Sequence, residues 1–250
     1  MTVQECAEIV ERGDPDRLVA AMSAPVPDRE VLFPLYAFNL EIARAPWLTQ
    51  EPLIAEMRLQ FWRDVLDEIE QGKTPRAHEV VAPLGAAIHA RAIPLAPLRA
   101  MIDARRADIA REPFVAPADL WDYINAGAGS LMFASVAALG RTDEAEARVL
   151  GRVQGLAAWL EAQPELLAHG WRAFDAGFYP EMIDVALADL RSVRGHDFGK
   201  ATPAARAASR AGAILKRAKA DPDAIIEGRL SESEFARRGR FLWKTLRGRW

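Results

Sequence analysis

The chain has one cysteine, Cys6, so an internal disulfide is excluded, which fits a reducing compartment. No uncharged apolar run approaches the roughly 18–20 residues that cross a bilayer. The longest stretch, Ala126 to Leu139, is rich in Gly, Ala and Ser and reads as a tightly packed buried helix. Period-two alternation and β-branched clusters are scarce, which leaves little for strands. The four histidines, His78, His89, His169 and His196, lack ligand spacing and have no cysteine pair beside them, so no metal site is expected from them. There is no Gly-x-Ser-x-Gly elbow for a nucleophile. The glycines near 127 follow no strand and precede no lysine, which excludes a dinucleotide fingerprint and a P-loop. A net charge of −3 and a pI near 5.9 give no nucleic-acid footprint, and no nucleic-acid partner is expected. The opening stretch carries Glu5, Glu8, Glu11, Asp14 and Asp16, unlike a secretory signal or a mitochondrial presequence, so the expected location is the cytoplasm.

What is present is helical. Half of the chain is hydrophobic and 27% is charged, enough for one large domain over residues 1–250. Asp14 caps a helix with Pro15 at its first position, running to Met22. Pro25 and Pro27 break the chain before a helix over Arg29–Ala45, with a kink at Pro34. Thr49 starts the next helix, which stops at Gly72. Further helices are predicted over His78–Arg91, Pro94–Arg111, Pro117–Leu139, Asp143–Ala162, Pro180–Val193, Pro203–Ala220 and Glu232–Leu246, the last with a Ser231/Glu234 capping box.

Four features carry candidate chemistry. In Leu35–Arg44, Asn39 and Glu41 interrupt an apolar helix that also holds Tyr36; they lie either on a solvated stripe or in a site with partners. In Glu56–Asp67, Arg63 with Asp67 and Gln60 with Asp64 are spaced to pair, and the Arg58 guanidinium can lie on the Trp62 indole. Such a face either holds a diphosphate and a prenyl tail or is a helix with surface ion pairs and a core tryptophan. In Tyr123–Phe133, glycines including Gly127 stand inside a helix beside Ser130, for close helix packing or for a lipid-lined cavity. The segment 231–250 is a basic amphipathic helix. Arg237, Arg238, Arg240, Lys244, Arg247 and Arg249 interleave with Phe241, Leu242, Trp243, Leu246 and Trp250. It can lie on an anionic membrane, dock on the core or form a weak nucleic-acid patch.

Taken in order, these segments resemble the squalene/phytoene synthase family: the Leu35–Arg44 helix, the Arg58–Asp67 helix with its Trp-Arg, the Tyr123–Gly140 helix with Ala-Gly-Ser, Leu150-Gly151, a segment ending near Tyr179-Pro180 and an Ala/Arg helix from Ala204. The resemblance implies the all-α isoprenoid synthase fold, a helical bundle around a central cavity. Active members bind Mg²⁺ through aspartates on two facing helices and neutralise departing diphosphate. Here the first motif falls on Ala43, Arg44 and Trp47, with Leu40 where an arginine usually precedes it. The second falls near Ala158, Ala162 and Leu166. Glu41, Glu161 and Glu165 are the nearby acids, and Pro164 puts helix between the last two in doubt.

Phe38–Ala43, Met57–Trp62 and Val153–Leu156 resemble the aspartate-less branch that includes a mitochondrial complex I assembly factor. The resemblance implies a degenerate catalyst without a cofactor, peripheral at the inner membrane, with a prenyl or other lipid ligand and a membrane respiratory subunit as partner. Its expected cavity residues are Tyr36, Asn39, Glu41, Arg58, Trp62, Arg63, Asp64, Asp67, Tyr123, Gly127, Ser130 and Gln154. The alternative is an active prenyltransferase with Mg²⁺ on Glu41, Asp64 and Asp67 and phosphates on Arg58 and Arg63.

Overall fold

The computed structural model describes residues 2–171 and 175–250, without the side chains of Glu234, Phe235, Ala236 and Arg238. Among the described residues there are helices and no strand. The chain opens with α1 (Val3–Gly13), which the acidic opening did not signal; Thr2 and Glu5 cap it reciprocally. Then come α2 (Pro15–Met22), capped by Asp14, and α3 (Val26–Arg44). Pro25 and Pro27 start α3 rather than break the chain, because the first helical turn has no hydrogen bond for proline to remove. α4 (Pro52–Glu70) begins after Glu51, with Thr49 accepting from the Glu51 amide in the preceding turn. α5 (Val81–Arg91), α6 (Leu95–Ala104) and the short α7 (Arg106–Ala110) follow; the helix expected over Pro94–Arg111 breaks at Arg105.

The segment 117–139 is also divided. α8 (Pro117–Ile124) passes through a π turn, Asn125–Gly129, into α9 (Ser130–Ala138), and the Ser130 amide reaches back to the Asn125 carbonyl. α10 (Glu144–Ala168) runs six residues beyond the expected end and passes through Pro164. Proline removes one helical hydrogen bond, a loss of about 3 kcal/mol in isolation. Burial of Val153, Leu156, Trp159 and Leu160 along this helix outweighs it, and the ladder resumes after the proline with the His169 amide on the Glu165 carbonyl, 3.0 Å. α11 (Tyr179–Val193), α12 (Thr202–Ala205), α13 (Ala211–Ala220), α14 (Asp223–Ile226) and α15 (Glu234–Leu246) complete the order. The helix expected over Pro203–Ala220 is split by a 3₁₀ turn, Arg206–Ala208.

Two apolar clusters form the interior. One is built around α3, which packs against α1, α2, α5 and α9 and buries Leu32, Leu35, Phe38 and Ile42 completely. The other surrounds α10, which packs against α11, α13 and α14. The π turn joins them by lying along α10. A Cβ on Gly151 would sit 2.6 Å from the Ala128 carbonyl oxygen, and one on Gly155 would sit 2.6 Å from Ile124 Cγ2. Close approach therefore rests on α10's glycines. Gly127 itself has nothing within 4 Å of its would-be Cβ.

Candidate functional site: a cavity between facing helices

Between α3 and α10 lies a cavity of about 380 Å³. Residues four apart on a helix share a face, and each helix offers such a row: Asn39, Ala43 and then Trp47 of the following turn from the α3 side, Gln154, Ala158, Ala162 and Leu166 from α10. Tyr123, Gly127, Ala128 and Leu131 close another wall, and Trp159, His169 and Trp171 form an aromatic one. Its rings pack mainly edge to face or tilted: Trp159 on Trp171 at 5.9 Å, Trp47 on Trp171 at 6.0 Å and Trp47 on His169 at 5.4 Å between centroids.

The polar groups of this cavity are largely paired with one another. Asp108 is 2% exposed. It accepts from the Tyr123 hydroxyl at 2.8 Å and from Arg105 Nη1 at 3.1 Å, and Arg105 Nη1 also donates to the Tyr123 oxygen at 2.8 Å. Burial pushes the Asp108 carboxyl above its ordinary range against the pull of Arg105, and burial likewise raises the Tyr123 phenol. On the opposite side Arg17 pairs with Asp14 and donates to Gln154 Oε1 at 2.8 Å. The lining carboxylates are thus Asp108, already neutralised by Arg105, and Glu165, which is exposed. No group of three or more His, Cys, Asp or Glu side chains among the described residues is placed to share a metal ion.

Of the sequence-predicted cavity residues, Asn39, Tyr123, Gly127 and Gln154 line this cavity. Glu41, Arg58 and Trp62 line a different hollow of about 460 Å³, with Ala45, Leu48, Ile54, Met57, Phe61 and His78. Trp62 packs on Phe38, Phe61 and His78, and Arg58 is exposed rather than stacked on the indole. Arg63 and Asp67 do not pair along α4. Arg63 meets Asp103, and Asp67 accepts from Arg99 at 2.6 Å, because α6 lies alongside and offers partners across the interface. Gln60 does donate to Asp64, at 2.7 Å, and Arg76 also reaches Asp64. Tyr36 is buried in the α3 core, and Ser130 is buried with its hydroxyl between the Asn125 carbonyl and Arg148. The structure does not bring the alternative metal set together: Glu41 lines the second hollow, Asp64 and Asp67 line neither, and the three form no metal-sized group. Nor do Leu40 and Arg44 line the main cavity; Leu40 packs over Gly13, and Arg44 is exposed near Glu41. Glu161 is held by Arg210.

Arg17, Arg105, Asp108, Trp159 and Trp171 also line the cavity, and the sequence did not mark them. A Trp at 47, 159 and 171 leaves no local pattern, and Arg105–Asp108 has the look of an ordinary charged helix turn.

In the basic segment, Lys244 and Trp250 face inward. Lys244 donates to the Ser209 carbonyl at 3.0 Å, and burial, with repulsion from Arg240 and Arg194, pushes it down to about 8. Trp250 donates to the His196 carbonyl at 3.0 Å and packs on Phe198. Arg240 pairs with Glu232 and Arg237 approaches Asp16. Trp243 and Arg247 stack with each other outside; the side chain of Arg238 lies outside the described residues. No helix among the described residues is long and apolar enough to cross a membrane.

An all-helical bundle with a cavity between two facing helices is the isoprenoid synthase fold. A crystal structure of a dehydrosqualene synthase in complex with ligand superposes over 97% of this chain and 94% of its own, with a TM-score of 0.65 at 16% identity. The squalene/phytoene synthase family matches residues 10–219, and the chain belongs to that family. Curated relatives carry the name NADH dehydrogenase (ubiquinone) complex I, assembly factor 6. The Bos taurus protein is 28% identical over 65% of this chain and 50% of its own length; the Homo sapiens one is 26% identical over 64% and 48%. The Drosophila melanogaster homolog is 29% identical over 64% and 50%. The chain thus spans about half the length of the curated relatives it matches.

Of the positions that align with the family's metal-binding motifs, Ala43, Trp47, Ala158, Ala162 and Leu166 line the cavity, and Arg44 does not. Methyl, isobutyl and indole groups donate nothing to Mg²⁺, which takes oxygen ligands. The residues present do not fit a multi-Mg²⁺ diphosphate site.

Proposed function

We propose that this chain is a catalytically degenerate member of the squalene/phytoene synthase family that serves as an assembly factor for respiratory complex I. Its cavity then holds a prenyl or other lipid chain, or a partner segment, instead of reacting with it. One observation carries this reading: the two facing rows that would present carboxylates present Ala43, Trp47, Ala158, Ala162 and Leu166. Ionising a prenyl diphosphate requires the departing charge to be neutralised, and the arginines at hand, Arg17 and Arg105, are already engaged by Asp14 and Asp108. The aromatic wall of Trp47, Trp159 and Trp171 suits an apolar chain. The names of the curated relatives point to the respiratory client.

Deleting the gene and measuring assembled complex I tests the client. Expected is a loss of assembled complex that the wild-type gene restores; normal assembly in the deletion strain removes the assignment. Gly127→Leu, which projects into open cavity space, is expected to fold and to restore assembly poorly. Full restoration by that variant would show that the cavity is not used.

A further inference from the structure

The proposed function does not use α15, and that helix is divided lengthwise in an unusual way. Its inner side is anchored: Phe241 packs on the core, Lys244 donates to Ser209, and beyond the helix Arg206 Nε reaches the Arg249 carbonyl at 3.1 Å while Trp250 reaches His196. Its outer side carries Leu242, Trp243 and Leu246, which are 59%, 58% and 74% exposed. Their spacing of three and four puts them on one stripe. Arg247 lies over the Trp243 ring at 3.9 Å, and Arg249 is exposed nearby. Neither has an acidic partner among the described residues, and no acid occurs from Arg237 to Trp250. Arg194, the residue after α11, adds a further cation beside Lys244.

We propose that the outward face of α15 docks on an anionic lipid bilayer, with Leu242, Trp243 and Leu246 entering the acyl boundary and Arg247 and Arg249 meeting lipid phosphates. An apolar stripe edged by cations and free of acids matches that surface in both respects. A nucleic acid would use the cations and leave three large apolar side chains in water. A second copy of the chain would bring two arginine-edged stripes together, and like charges would face one another. Because the helix is already folded and docked, no free energy is lost in forming it on binding. Contact through one such helix is weak and reversible, and it keeps the protein at the surface. The inference is independent of whether the cavity is catalytic.

The test is flotation of the full chain with large vesicles of phosphatidylcholine alone and of phosphatidylcholine with phosphatidylglycerol at three to one. Binding is expected to the second composition only and to fall with added salt. Each of Arg247→Gln and Arg249→Gln is expected to weaken it about fivefold, and Leu242→Ser with Leu246→Ser by at least about tenfold. These residues are exposed, so circular dichroism and melting of the variants should match wild type. The proposal is overturned if vesicle binding is absent, is equal for the two compositions, or is unchanged in the variants. It is also overturned if light scattering shows a dimer that the paired serine substitutions dissociate, since the face then belongs to self-association.

Discussion

Removing the Asp108 carboxylate would leave the Arg105 guanidinium largely buried beside Tyr123 without its counter-charge. Breaking such a pair by removing one partner typically costs about 3–5 kcal/mol. Asp108→Ala is therefore expected to lower stability in urea denaturation by an amount toward the lower end of that range, and Arg105→Met with Asp108→Leu together by much less. Equal losses would mean that the pair is not acting as a unit. Cys6 is fully buried, and burial pushes its thiol up to about 12. It should ignore a disulfide reagent in the native chain at pH 8 and react at once in denaturant. Single residues were the least legible level of the sequence. Arg63 and Asp67 satisfied the spacing rule for an ion pair, yet each found a partner on α6, Asp103 at 40 residues' separation and Arg99 at 32. A helix-spacing rule knows only its own helix; a packed neighbour offers better geometry. Ala43 and Ala158 show the reverse: unremarkable alone, they gain meaning from lining the same cavity.

The helices themselves were largely legible, because capping and apolar spacing are local. Asp14 with Pro15 marked α2 as observed. Interruptions inside long helical stretches were not. The π turn at Asn125–Gly129 arises where the α10 backbone comes close, and its glycine partners Gly151 and Gly155 lie in another helix. Gly151→Ala forces a methyl against the Ala128 carbonyl and Met132 Cβ, neither of which is a flexible end. It is expected to cost about 1–3 kcal/mol in a denaturant titration. Gly127→Ala meets nothing and is expected to be neutral or slightly stabilising; a loss as large as that of Gly151→Ala would contradict this packing. At α15, Lys244 has a folded-state pKa of about 8 against its ordinary 10.5, so the unfolded chain binds that proton more strongly between the two. Stability from this group rises with pH across that window. Lys244→Met removes the effect, so the melting-temperature advantage of the variant over wild type should shrink as pH is raised from about 8 to 10.5.

At the scale of the whole molecule the fold carries the family's geometry while the chemistry of its central cavity has changed. The order of segments in the sequence was enough to place the chain among squalene/phytoene synthases, and the facing rows fall where that alignment puts them. What the alignment could not convey was the division of the expected site into two hollows, with Glu41, Arg58 and Trp62 in one and Asn39, Tyr123 and Gln154 in the other. That division follows from the end of α3 and the turn after it, where Ala43 and Trp47 face one hollow and Ala45 and Leu48 the other. The most direct measurement is pyrophosphate release from farnesyl and geranylgeranyl diphosphate with Mg²⁺ and NADPH, using folded protein and a boiled control. A cavity faced by Ala43, Trp47, Ala158, Ala162 and Leu166 is expected to release none above the control. Release that scales with protein and vanishes with EDTA would contradict the non-catalytic reading outright.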